Sequence, residues 1–147
     1  MIWLETSHVT RIRCLLASGS AQELAEAARL ADECLAHAQR THNFPVQASL
    51  IGLRALLLAR AGEHQAAIEL LTGGLRLTAA AGFVRTYVEL GPGLADLLRA
   101  IDEPELDGYI ASILAAFPNN HPTPRAPSRL LDSPAATLTE RELEVLA

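Results

Sequence analysis

A chain of 147 residues, half of them apolar but only 4% aromatic, is long enough for one ordinary domain plus a tail, and its Ala- and Leu-rich make-up suits close-packed helices. A net charge of −5 without a visible basic stripe argues against a body that grips phosphates. No apolar run is long or clean enough to span a bilayer, and the opening Met-Ile-Trp-Leu-Glu lacks a signal peptide's charged start and cleavage site, so a cytoplasmic protein without membrane contact is expected.

The first helix is expected over about residues 2–17, with Val9, Ile12, Leu15 and Leu16 facing a core and Trp3 as a bulky anchor. Gly19 suits the left-handed position that ends a helix, and Ser20 with Glu23 forms a capping box for the next one, about 21–41. That helix carries Leu24, Ala27, Ala31, Cys34, Leu35 and Ala38 at three- and four-residue steps, opposite a solvated charged face. Cys14 and Cys34 flank the Gly19 turn but are offset by roughly 15 Å in an antiparallel hairpin, too far for a disulfide. Both read as small buried apolar residues.

Asn43 caps a third helix, about 45–61, with Pro45 in its first turn. Its apolar stripe, Val46, Leu50, Leu53 and Leu57 with Ile51, Ala55 and Leu58 beside it, is wide enough to need neighbours on both sides. Gly62 turns the chain into a fourth helix, about 64–81, in which Gly73-Gly74 demands either close approach by another helix or a kink. After Gly82, a short helical piece from Phe83 to Leu90 leads to Pro92. That residue starts a helix to about Ile101, and Asp102-Glu103-Pro104 starts the last one, with Leu106, Ile110, Ile113, Leu114 and Phe117 inward. The fold expected for residues 1–117 is all-α, with antiparallel helix pairs stacked as a tetratricopeptide-like superhelix. Gly19 and Gly62 stand at equivalent turns, and Ala55, Leu58, Gly62, Ala67 and Leu71 follow part of the tetratricopeptide pattern.

Residues 118–137 lose periodicity and hold prolines 118, 122, 124, 127 and 134, which marks a linker. At 138–147, Thr139 caps a new helix, Glu142 completes its capping box and Leu138 with Leu143 makes a hydrophobic staple. Mobility is expected from about residue 119 onward unless the body or another molecule orders the tail.

Two stretches carry a family resemblance. Leu138, Thr139, Arg141, Glu142, Glu144, Val145 and Leu146 match the opening of the LuxR-type helix-turn-helix domain, Leu-(Ser/Thr)-x-Arg-Glu-x-Glu-Val-Leu. Gly82, Phe83, Arg85, Tyr87, Gly91 and Leu94 resemble the segment that ends the helical repeats in large ATP-dependent, maltose-activator-like LuxR regulators. The two occur in the family's order, with a last helix and a proline-rich linker between them, and the resemblance covers about residues 20–147. It implies a signal-receiving module for a small-molecule inducer or a regulatory protein, followed by the truncated start of a DNA-binding domain. ATP is then expected only in a separate upstream domain, and DNA contact only through the remainder of the helix-turn-helix.

Chemistry is otherwise sparse. There is no phosphate loop, and no serine sits in a nucleophile elbow. Cys34 and His37 form only half of a metal site, so no metal or other cofactor is expected in this chain. No carboxylate pair marks acid–base work, and an enzyme is not expected. Arg85 and Tyr87, beside the glycine turn, are the candidate lining of a ligand or partner groove; the competing reading has Arg85 capping helix carbonyls while Tyr87 packs. A plain tetratricopeptide-like interaction scaffold is the alternative function, and a homo-oligomer is compatible with either.

Overall fold

The structure is a computed structural model; it describes residues 2–118, and their side chains from Ser7 onward. Side-chain caps mark where two of the helices begin. Ser20 Oγ accepts from the Glu23 N–H at 3.3 Å and its hydroxyl meets the Glu23 carboxylate. These side-chain hydrogen bonds, from Ser20 first and Ser18 second, hold the Glu23 carboxyl below its ordinary pKa. Asn43 Oδ1 likewise accepts from the Val46 N–H at 3.4 Å, satisfying a donor that the first turn would otherwise leave open.

The described residues form seven α-helices: α1 (Ile2–Ser18), α2 (Ala21–Arg40), α3 (Phe44–Arg60), α4 (His64–Thr78), α5 (Val84–Val88), α6 (Pro92–Arg99) and α7 (Asp107–Ala115), with a 3-10 turn at Ala79–Ala81. Among the described residues there is no strand. α1 to α4 are joined by turns of only two or three residues, so packed neighbours run antiparallel. Gly19 and Gly62 take positive φ, as expected of them, and His42 does the same at the end of α2. There the Asn43 N–H reaches back to the Ala38 carbonyl at 2.9 Å, and the buried Gln47 side chain donates to the same carbonyl at 3.0 Å.

α3 is the shared wall of two cores. On one side Leu50, Leu53 and Leu57 pack with Ile12 of α1 and Ala27, Ala31 and Ala38 of α2. The three alanines let α2 lie close. On the other side Ala48 and Ala55 join Ala67, Leu71 and Leu75 of α4, Tyr87, and the apolar residues of α6 and α7. The wide stripe of α3 therefore does have neighbours on both sides. Beyond consecutive neighbours, α1 touches α3, α3 touches α5 and α6, α4 touches α6, and α5 touches α7.

Four expectations need correction or refinement. Cys14 is exposed and Cys34 half-buried, and they do not pair; Cys14 sits about 200° around α1 from the inward Ile12. The fourth helix stops at Thr78, three residues early, because the chain tightens into the 3-10 turn before Gly82. The last helix begins at Asp107 rather than at Pro104, since Pro104–Leu106 forms a separate turn closed by the Leu106 N–H on the Glu103 carbonyl at 2.9 Å. Close approach explains Gly74, where an added Cβ would lie 2.5 Å from Ile51 Cγ2, but not Gly73, whose Cβ would meet nothing within 4 Å. The anchoring role of the Trp3 side chain, the linker after residue 118 and the tail signature lie outside what is described.

Candidate functional site

The segment from Gly82 to Leu94 is built into the body rather than laid over it. Gly82, at φ 65°, ends the 3-10 turn in the left-handed region, where a side chain is costly. α5 then places Tyr87 fully inside. Thr78 Oγ1 donates to the Gly74 carbonyl at 2.9 Å, so its single proton is committed and Tyr87, 2.9 Å away, must donate to it. Tyr109 also reaches Thr78 Oγ1 at 3.5 Å, and its ring meets that of Tyr87 edge-on, centroids 6.5 Å apart. Burial pushes the Tyr87 phenol up to about 12, with the Thr78 hydrogen bond acting the other way. Tyr87 is thus a neutral structural donor with no surface to offer a ligand.

Arg85, two residues earlier, points the opposite way. Its side chain is 91% exposed and pairs with Glu89, one turn on, at 2.9 Å. The structure does not bring Arg85 and Tyr87 together in one groove: Tyr87 packs inside, as the competing reading has it, and Arg85 stands outside. Nor does Arg85 cap α5. That task falls to Arg13 of α1, whose guanidinium donates to the Glu89 carbonyl. Leu90 follows and presses on Gly52 of α3, where an added Cβ would lie 2.2 Å from Leu90 Cδ1. Leu94 is fully buried. Gly82, Tyr87, Leu90 and Leu94 are accounted for by packing or backbone geometry, with Phe83 partly buried against the same core.

A concave surface exists elsewhere. An open groove of about 400 Å³ lies between α4 and the α6–α7 turn, lined by Gln65, Ile68, Glu69, Thr72 and Arg76 on one side and Ala100 to Glu103 on the other. Arg76 and Glu103 bridge it at 2.8 Å, and Gln65 donates to Glu69 at 3.0 Å. Its polar groups, three carboxylates and one guanidinium among them, can hydrogen-bond a small polar molecule in several directions. Sequence reasoning missed this groove. Gln65, Glu69, Thr72 and Arg76 do recur at helical spacing on α4, but nothing local announces that Asp102 and Glu103 return to them.

Among the described residues no three of His, Cys, Asp and Glu cluster as metal ligands, and no helix is long and apolar enough to cross a membrane. Of the nine described arginines, Arg11, Arg29, Arg54, Arg76, Arg85 and Arg99 each pair with a carboxylate. The residues of the tail signature, Leu138 to Leu146, lie outside the described part. Compared with protein-family models, curated proteins and solved structures, the chain matches none.

Proposed function

We propose that this chain is the signal-receiving helical module of a LuxR-type transcription regulator, and that it does not itself bind DNA. The pattern Leu138, Thr139, Arg141, Glu142, Glu144, Val145 and Leu146 carries this reading. The Gly82–Leu94 pattern supports it from an independent stretch. Contacts between helices two apart, α1 with α3, α3 with α5, α4 with α6 and α5 with α7, are those a tetratricopeptide-like stack would make, and such stacks serve as receiving surfaces. The net charge of −5 and the carboxylate-paired arginines speak against a phosphate-gripping body.

In this reading the effector enters the groove between α4 and the α6–α7 turn. Its chemistry is that of a small, neutral or cationic polar molecule, since Glu69, Asp102 and Glu103 outnumber Arg76 there. The reading frame downstream of codon 147 provides the test. The expected continuation completes the first helix and adds a turn and a second amphipathic helix able to enter a major groove, within about 40 residues. A stop codon, or a continuation without that second helix, would overturn the regulator reading and leave an interaction scaffold.

A further inference from the structure

Among the described residues, α4 has a second apolar face that joins neither core cluster. Ala66, Leu70, Gly73 and Leu77 recur at steps of four, three and four, the spacing of a helix–helix seam. Leu77 is 47% exposed, and Ala66 and Leu70, both half-buried, belong to neither core cluster. Gly73 stands in the middle of this stripe. A mid-helix glycine weakens a helix relative to alanine, and among the described residues nothing within 4 Å of its Cβ position requires it. Its neighbour Gly74 is needed inside the chain; Gly73 makes sense only if something approaches from outside.

We infer that this face pairs with α4 of a second copy of the chain, antiparallel about a two-fold axis, with Leu70 of each copy seated on Gly73 of the other. The same register sets Leu77 against the other copy's Ala66, so each large residue meets a small one. Charge selects both partner and direction. Glu69 and Arg76 flank the stripe on one side, seven residues apart; Arg76 holds Glu103 of its own chain and Glu69 accepts from Gln65, and the guanidinium keeps further N–H donors for a second carboxylate. In an antiparallel self-pair, residues on the same flank meet, so Glu69 of each copy faces Arg76 of the other. In a parallel pair the opposite flank would face them, and that flank is Ala67 and Gly74, both buried in the chain's own core. A 15-residue helix buries less than the ~1,200 Å² of a stable interface, so association is weak, with Kd on the order of 100 µM. Glu69 and Arg76 also line the groove given above to the effector, so the charged flank is shared with that reading, whereas the contact of Leu70, Gly73 and Leu77 does not rest on it.

Sedimentation equilibrium of the full 147-residue chain, from about 10 µM to 1 mM, tests it. The average mass is expected to rise from monomer toward dimer. Gly73→Gln, which places a helix-forming residue at an open position, and Leu77→Glu are each expected to weaken association about tenfold or more with unchanged circular dichroism. Glu69→Arg and Arg76→Glu should each weaken self-association, while an equimolar mixture of the two variants associates as the parent does. A parent chain that stays monomeric throughout overturns the inference and gives the face to another occupant. Association indifferent to Gly73→Gln and Leu77→Glu overturns it by placing the contact elsewhere. A mixture no better than its components overturns the antiparallel register.

Discussion

The inner and outer sides of α4 and α5 use the same residue types for opposite ends. Gly74 faces in, and its missing side chain is the space that Ile51 occupies; Gly73, one residue before it, faces out and leaves a gap. Tyr87 faces in and holds Thr78, while Arg85, two residues before it, reaches into solvent and pairs with Glu89 one turn on. The inner side is a closed set of contacts in which each change must be absorbed by a neighbour. The outer side tolerates change, and so has room for recognition. Sequence proximity to a glycine turn says nothing about which side a residue serves; the helical angle does.

The largest effect that would sharpen this contrast is expected from Tyr87→Ala. Removing a fully buried ring and the shorter of the two phenol hydrogen bonds to Thr78 should cost about 3–5 kcal/mol in urea unfolding. A loss below about 1 kcal/mol would mean that the inner side is not closed.

Alkaline pH probes the same residue. The Tyr87 phenol is raised from 10.0 to about 12 in the folded state, so folding favours its protonated form. That contribution is complete below pH 10 and is lost as pH rises through about 12. It amounts to roughly 2–3 kcal/mol. Thermal midpoints recorded across this range should fall, and Tyr87→Phe should flatten the decline.

The glycine pair divides the two sides most finely. Gly74→Ala drives a methyl against the stiff, β-branched Ile51 and should destabilise by about 1–2 kcal/mol despite the better helix propensity. Gly73→Ala should stabilise the monomer by about 0.5–1 kcal/mol. Equal and opposite outcomes to these would reverse the assignment of faces. Arg85→Ala, the smallest change, should leave stability within about 0.5 kcal/mol when followed by the same unfolding experiment.

Local signals in the sequence carried most of the helical frame. Ser20 and Asn43 cap where the spacing places them, Pro92 opens α6, and the turn glycines 19, 62 and 82 adopt positive φ. These features depend on residues three or four apart, which a sequence displays directly. What escaped depends on distant partners. Arg13 holds a carbonyl 76 residues away, and the α4 groove is completed by Asp102 and Glu103. The separate turn at Pro104–Leu106 sits beside two distant contacts, the Arg76–Glu103 pair and the burial of Leu106 in the core. Arg85 was misplaced for a related reason: a five-residue helix has too little periodicity to show its inward face.

An effector-receiving module without DNA affinity should show itself in the thermal midpoint of the whole chain, recorded against small polar metabolites with duplex DNA as a parallel arm. A ligand at 100 times its Kd adds about 2.7 kcal/mol to the folded state, a rise of several degrees. The account expects such a rise for at least one neutral or cationic metabolite, its loss in Asp102→Asn and Glu103→Gln, and no response to DNA. A rise that survives both substitutions, or one produced by duplex DNA alone, would contradict it.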